Sequence, residues 1–460
     1  MSTQGRGVLC IDFGTSSIRA AIRHGNRTAR PIPIGAAFGS SIDSASIPSA
    51  IFLSDDFANV AFGQEALTLG MTGRKAAIFE ISPKKWMTAG YPSDLMNGIS
   101  DRTNLTKLHL LSGLIAQSLS AICKSEKLRP HDLAELEIRL SHPIWPGHRK
   151  SELLRHLIGI SKLAISICGL TDRLSDTETF LAKTRGFEAA ANPPEVDVEE
   201  PVAAALQLFD NDLNSREICA VIDVGAGTMD MGIFLSLTPD AASHRHRRKL
   251  IQAAPPRSIF KAGDFIDDAL LNLITDKSKT TSDVVVSDLN RRRRSIKESL
   301  FESKKIYEAG VEVQLDELQA LPQIHAMSEE LASTFGTMLH EASSYLSTFV
   351  DASFHRTDKV NVIFAGGGAS IDFLHRAVPT NYNFGSGRKT PVSITSYSGN
   401  YVSLPASIDR LAVAIGGTTD VIEWPQTVVS FKEELMTQWD RMGNWKPGIW
   451  TFYEKVYAKD

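Results

Sequence analysis

Three glycine-bearing segments constrain this chain most: Cys10-Ile11-Asp12-Phe13-Gly14-Thr15-Ser16-Ser17, Val221-Ile222-Asp223-Val224-Gly225-Ala226-Gly227-Thr228-Met229-Asp230, and Ile363-Phe364-Ala365-Gly366-Gly367-Gly368-Ala369-Ser370. In each of the first two, an apolar run ends in an aspartate and passes into small residues and a threonine. That pattern predicts a strand entering a tight turn whose backbone N–H groups face phosphate, so an anion is held without a lysine in the turn. Two similar units far apart in the chain predict two related lobes closing on one nucleotide. No repeat with a period of about 20–50 residues runs through the sequence, which excludes a solenoid.

At 460 residues the chain is long enough for two lobes with real cores. A hydrophobic content of 43%, a charged content of 22% and a net charge of -4 describe an ordinary globular protein. There is no excess of positive charge for general nucleic-acid binding, so no nucleic-acid partner is expected. Residues Met1 to Gly7 are polar, and no stretch approaches the roughly 18 apolar residues of a membrane span. The expectation is a cytoplasmic protein with no membrane partner. Cys10, Cys123, Cys168 and Cys219 form no C-x-x-C pair, which argues against metal or disulfide roles.

Residues 8–22 alternate as strands do, and Gly35 to Ser46 reads as a loop before a strand near Ser49 to Leu53. Leu105, Leu108, Leu111, Ile115, Leu119 and Ile122 recur at steps of three and four, predicting an amphipathic core helix with one apolar face. A strand near Leu136 to Leu140 leads into His142-Pro143-Ile144-Trp145-Pro146 and then a helix from about His148 to Leu163. Glu195 to Glu200 reads as a strand, and Pro201 suits the first turn of the helix through Ala203 and Leu208, which puts Glu200 at a strand–helix junction. The charged region Lys277 to Glu308 fits one long helix. Within it, Arg291 to Arg294 cannot share one helix face and read as a solvated helix start. The basic cluster His244 to Lys249 reads as a hairpin tip. Ser430 and Glu433 form a capping box in a C-terminal tail that carries Trp439, Trp445 and Trp450, three of the six tryptophans. Such a tail is read as a docking element, either on its own lobes or on a partner.

Taken in order, these segments resemble the nucleotide-binding domain of the heat shock protein 70 (DnaK-like) family, within the actin, sugar-kinase and chaperone ATPase superfamily. The first phosphate loop is similar to Ile11 to Ser16, the second to Asp223 to Asp230, and the adenosine segment to Ala365 to Ile371. Glu199 to Leu206 and Ala412 to Gly417 resemble the two connecting helices. Ile47-Pro48-Ser49-Ala50, Phe62-Gly63-Gln64-Glu65-Ala66 and Pro83-Lys84-Lys85-Trp86 match the chaperone branch. The chain departs from the pattern at Ala226, where glycine is usual, and at Ser370, where the chaperones place an arginine beside the base. The resemblance implies an α/β, actin-like ATPase fold of two related sheet-plus-helix lobes with a nucleotide cleft between them. Residues 1–216, completed by 410–425, would form lobe I, residues 217–409 lobe II and residues 426–460 the aromatic tail, with no peptide-binding domain.

The implied cofactors are ATP or ADP with Mg2+, in a chaperone-like ATPase whose lobes move with nucleotide state. Backbone amides around Gly14, Thr15 and Ser16 and around Gly225, Ala226, Gly227 and Thr228 would cradle phosphates, with the Thr15 and Thr228 hydroxyls as further donors. Gly366, Gly367, Gly368 and Ser370 would lie against the adenosine, as would Lys304 and Lys305 of the adenosine-facing helix. Asp12 and Asp223 would hold magnesium through water. Lys84 would neutralise the transferring phosphoryl group, with Lys85 a close alternative, while Glu200 would orient or deprotonate the attacking water and Asp230 would assist. A protein partner or client is implied without being identified. Other superfamily roles consistent with the motifs are an actin- or MreB-like filament protein, a small-molecule kinase, and a nucleotide-sensing interaction subunit with little turnover.

Overall fold

The computed structural model describes residues 7–25, 27–38, 44–88, 92–172, 175–185, 188, 197–208, 217–237, 249–280, 282–349, 359–383, 389–395, 408–419 and 426–427. The architecture is mixed α/β. Strands Val8–Phe13, Ser17–Arg23 and Glu137–Leu140 belong to a five-stranded sheet, and Glu217–Val224, Met229–Leu237, Lys249–Ile259 and Val360–Ala365 to a seven-stranded one. The likeness of the first two glycine segments is repeated in their wiring. Val8–Phe13 pairs antiparallel with Ser17–Arg23 across its turn and parallel with Glu137–Leu140. Glu217–Val224 pairs antiparallel with Met229–Leu237 across its turn and parallel with Val360–Ala365. Each aspartate-bearing strand therefore lies inside its sheet with both faces covered, which is why it reads as a continuous apolar run rather than an alternating one.

Two main apolar cores form on these sheets. One gathers Leu9, Ile11 and Phe62 with the helices Lys107–Glu126 and Gly147–Ser166. The other gathers Ile222 and Met231 with the helices Gly263–Ser278, Asp283–Ser303 and Pro322–Phe349. A third core joins Cys10 of the first sheet to Cys219 and Ile363 of the second through the helices Glu200–Leu208 and Ile408–Gly416. Those two helices approach so closely that a Cβ on Gly416 would run into the Ala203 carbonyl oxygen and lie 2.7 Å from its carbon. Backbone cannot rotate away as a side chain can. Gly416→Ala is thus expected to lower stability by about 1–3 kcal/mol; an unchanged melting temperature would contradict this packing.

Several local expectations are corrected. The helix Lys107–Glu126 is buried on every side from Leu110 to Cys123, rather than along one face. Ser112 and Ser118 donate within the helix to the carbonyls of Leu108 and Leu114, and Gln117 donates to Phe62 O at 2.7 Å while its Oε1 has no donor among the described residues. The charged stretch Lys277 to Glu308 is not one helix. The helix Gly263–Ser278 ends at Lys279 and the helix Asp283–Ser303 at Lys304, both left-handed (φ 51° and 66°), and Lys305–Glu308 is a strand paired with Val311–Gln314. Arg291 to Arg294 sit within the second helix and are half-buried, not at a solvated start. In place of the expected strand before Pro201, Glu199 makes a single parallel bridge to His142 and Glu200 already opens the helix; residues 189–196 lie outside the described residues.

The basic cluster expected at a hairpin tip lies, up to residue 248, outside the described residues, between strands that pair antiparallel. Gln426–Thr427, expected at the start of a separate tail, pairs in parallel with Ile251 and Gln252. Residues 428–460, with the three tail tryptophans and the Ser430/Glu433 box, lie outside the described residues. Among the described residues no helix is long and apolar enough to cross a membrane. All four cysteines are free thiols, and Cys168 Sγ lies 3.4 Å from Ser120 Oγ.

Candidate functional site

The three glycine segments meet at one cavity of about 590 Å³. Its walls include Asp12, Gly14, Thr15 and Ser16 from the first turn, and Asp223, Gly225, Ala226 and Thr228 from the second. Gly366, Gly367, Gly368 and Ser370 from the third join them, with Lys84 and Glu200. Gly227 is not a wall residue, but a Cβ there would lie 3.1 Å from Thr15 Oγ1, so the first two turns face each other directly. Gly366 has φ 81°, and a Cβ on it would strike the Asp223 carboxylate and lie 2.6 Å from Val224 O. Only glycine fits that position without strain. Gly368 N–H, two residues on, donates to Val224 O at 2.9 Å and ties the third segment to the second.

The turns present free donors. Gly225 N–H closes its own hairpin on Thr228 O at 2.9 Å, whereas the N–H groups of Thr15, Ser16, Ala226 and Gly227 have no acceptor among the described residues. Convergent backbone amides of this kind hold anions.

At the inner end of the cavity the charges are crowded. Glu200 N–H donates to His142 O at 3.0 Å, which pins the helix start, and the Glu200 carboxylate pairs with Lys84 Nζ. Both are nearly inaccessible, at 7% and 3% exposure. Lys84 is fixed in the turn closed by Lys85 N–H on Ser82 O at 3.1 Å, while the exposed Lys85 side chain turns to Glu80 at 3.1 Å. Lys84, and not Lys85, therefore enters the site. Ser141 Oγ donates to Asp12 Oδ1 at 2.9 Å and lies 3.4 Å from Glu200 Oε1, linking the two acids. Burial pushes the Glu200 carboxyl up to about 7, outweighing the attraction of Lys84, with the charges of Asp230 and Asp12 adding to the rise. Burial likewise holds Asp223 well above the usual carboxylate range, reinforced by Glu200, Asp12 and Asp230 and opposed by Lys84. Four carboxyl groups thus share the Lys84 ammonium and the Arg19 guanidinium, which lies 3.9 Å from Asp12 Oδ2, a surplus of negative charge that a further cation would relieve.

Asp230, expected to assist at the site, is not a wall residue and is only 1% exposed. It accepts from Thr228 Oγ1 at 2.6 Å, from Ile144 N–H at 3.0 Å and from the Ser258 hydroxyl. Thr228 has one hydroxyl proton, and it is directed at Asp230. Its oxygen therefore faces the cavity as an acceptor, not as the donor that the turn alone implied.

No protein-family model and no curated protein matches this chain. What the site can do rests on its geometry.

Two contributors were not legible in the sequence. Ser141 directly follows Leu140, the partner of Ile11, as Ala365 follows Phe364, the partner of Ile222, so it stands beside Asp12 and its hydroxyl reaches that carboxylate. The sequence there carries no glycine to flag it. Arg294 Nη1 donates to Ser16 O at 3.3 Å, and its Nη2 is buried without an acceptor among the described residues. On the helix Asp283–Ser303 the cavity face is Arg294, Lys297, Glu298, Phe301 and Glu302, with Lys304 at its end. Lys305 is not in the wall and begins the next strand, so the pair Lys304/Lys305 captures only the edge of this face. Among the described residues no group of three His, Cys, Asp or Glu side chains is arranged to hold a metal ion.

Proposed function

We propose that the chain binds ATP with Mg2+ in this cavity and hydrolyses it, on a two-lobed actin-like ATPase fold of the heat shock protein 70 kind. The observation that carries the reading is the convergence of two strand–aspartate–turn units on one cavity, with unpaired amides on both turns. The third core, where the helices Glu200–Leu208 and Ile408–Gly416 pack, is the natural hinge for lobe movement.

Magnesium suits the acids present. It keeps most of its water and takes phosphate oxygens, so Asp12 and Asp223 on opposed turns are enough and a cage of three protein ligands is not needed. When bound, it neutralises phosphate charge. The residues do the rest. Thr15, Ser16, Ala226 and Gly227 donate backbone N–H groups to phosphate oxygens. Lys84 faces the transferring phosphoryl group. The Thr228 oxygen, its proton held by Asp230, accepts a hydrogen bond from the attacking water, and Glu200 takes the proton that the water loses. The water oxygen bonds to the terminal phosphorus as the bond to the bridging oxygen breaks, leaving ADP and phosphate. A protein client or partner would read the lobe movement.

Calorimetric titration with ATP and ADP, with and without Mg2+, followed by single-turnover phosphate release, tests the proposal. Mg2+-dependent ATP binding and phosphate release without any added acceptor are expected; failure to bind either nucleotide overturns it. The raised Glu200 carboxyl gives a second expectation: kcat/KM should climb as pH rises through about 7, where the free enzyme's Glu200 loses its proton and becomes a base. In Glu200→Gln that rising limb should be absent.

A further inference from the structure

The four arginines of the helix Asp283–Ser303 have three destinations. Arg292 pairs with Asp288 and Glu308, and Arg294 serves the cavity described above. Arg291 and Arg293 instead line a second cleft, of about 450 Å³, whose opposite wall is the segment Gly70 to Lys85. That segment packs with the small core of Phe52, Ala61 and Ala66, whereas the arginine helix belongs to the core of the seven-stranded sheet. The cleft is thus a gap between two separately packed bodies, and both sides of it are positive.

Arg74, Lys75 and Lys85 face Arg291 and Arg293 across it, and Glu80 is the one acid in its wall. Glu80 is engaged by Lys85 at 3.1 Å. Arg293 has only a contact at 3.3 Å to the exposed Asp268, and its Nε is buried without an acceptor among the described residues. Arg74, Lys75 and Arg291 have no ion-pair partner among the described residues. Arg291 lies over the turn that precedes Arg74: a Cβ on Gly73 would sit 3.2 Å from its Nη1. Like charges facing one another in a concave, partly desolvated gap are held there at a cost unless an anion joins them. The volume is that of a small-molecule site rather than a macromolecular surface. Guanidinium groups from two directions match the geometry of phosphate oxygens.

We propose that this second cleft binds a small ligand carrying two or more phosphate groups, which bridges the Gly70 to Lys85 segment and the arginine helix. The site shares no wall residue with the nucleotide cavity, yet the same helix supplies both, with Arg291 and Arg293 to one and Arg294, Lys297 and Phe301 to the other. A ligand that draws the two walls together should therefore also alter nucleotide release, and the coupling must be reciprocal.

The test is calorimetric titration of the full chain with sodium tripolyphosphate at constant ionic strength, with and without saturating ADP. One saturable event that persists with ADP present is expected. It should weaken about tenfold or more in Arg74→Glu and in Arg291→Glu, corresponding to loss of at least one charge-assisted contact. Arg74 is on the surface, so its reversal should leave the melting temperature and ADP affinity unchanged even if Arg291→Glu perturbs the helix. Tripolyphosphate binding that ADP abolishes, or that both variants retain in full, overturns the proposal. Because the variants can be compared without any nucleotide, failure here is distinguishable from failure of the ATPase reading.

Discussion

Replacing Glu200 with glutamine is expected to slow ATP hydrolysis by about 10² while leaving ATP binding largely intact. The substitution keeps the shape and removes the acceptor of the water's proton. Glu200 lies at the start of its helix with its N–H on His142 O and makes no hydrogen bond to the two turns among the described residues, so binding should survive. An amide also cannot form the ion pair with Lys84, which leaves that cation free for phosphate. Turnover equal to wild type in a single-turnover assay would remove Glu200 from the chemistry. The same variant reports on stability. The carboxyl is held above its ordinary value of 4.5, up to about 7, so the folded state favours the protonated form. That contribution is fully present below about 4.5 and is lost as pH rises through about 7. Between those limits wild type should lose stability relative to Glu200→Gln, as followed by urea denaturation at successive pH values.

The second large effect is expected at Lys84. Lys84→Met should destabilise the fold by about 3–5 kcal/mol, because it strands a buried carboxylate whose partner is gone. Asp12, Asp223 and Asp230 make the loss worse, since Lys84 is the cation that opposes their mutual repulsion around Glu200. Adding Glu200→Gln to Lys84→Met should restore much of the stability, because the stranded charge goes with its partner, but not the activity. Chemical denaturation of the two single variants and the double variant measures this coupling. Additive losses would mean that the pair does not act as a unit. In Lys85→Met, by contrast, little should change, since its side chain is exposed and its ion pair with Glu80 is a surface one.

The two aspartate turns were legible because their chemistry is local. A strand buried on both faces must be apolar, a turn that offers amides to an anion must be built of small residues, and both demands fall on consecutive positions. The same holds for Glu200 at its junction, where Pro201 marks the first turn of a helix. The sites of the helix Lys107–Glu126 and of Arg291 to Arg294 were misread for the converse reason. Serine, glycine and alanine can be buried when their groups are satisfied within the helix, and an arginine's destination depends on what stands opposite. Lys84 and Lys85 are neighbours of one type, and only the turn that closes on Ser82 sends one inward and the other to Glu80.

By itself, then, the sequence determined the strand–aspartate–turn units, their order and the kind of ligand they suit, since each depends on residues adjacent in the chain. Tertiary structure alone decided that the turns face each other, that Ser141 and Arg294 join them, that the Thr228 proton is directed at Asp230, and that a second positive cleft opens beside Arg291. Those features arise from groups far apart along the backbone, and no local pattern encodes which distant partner a side chain meets once the cores have packed.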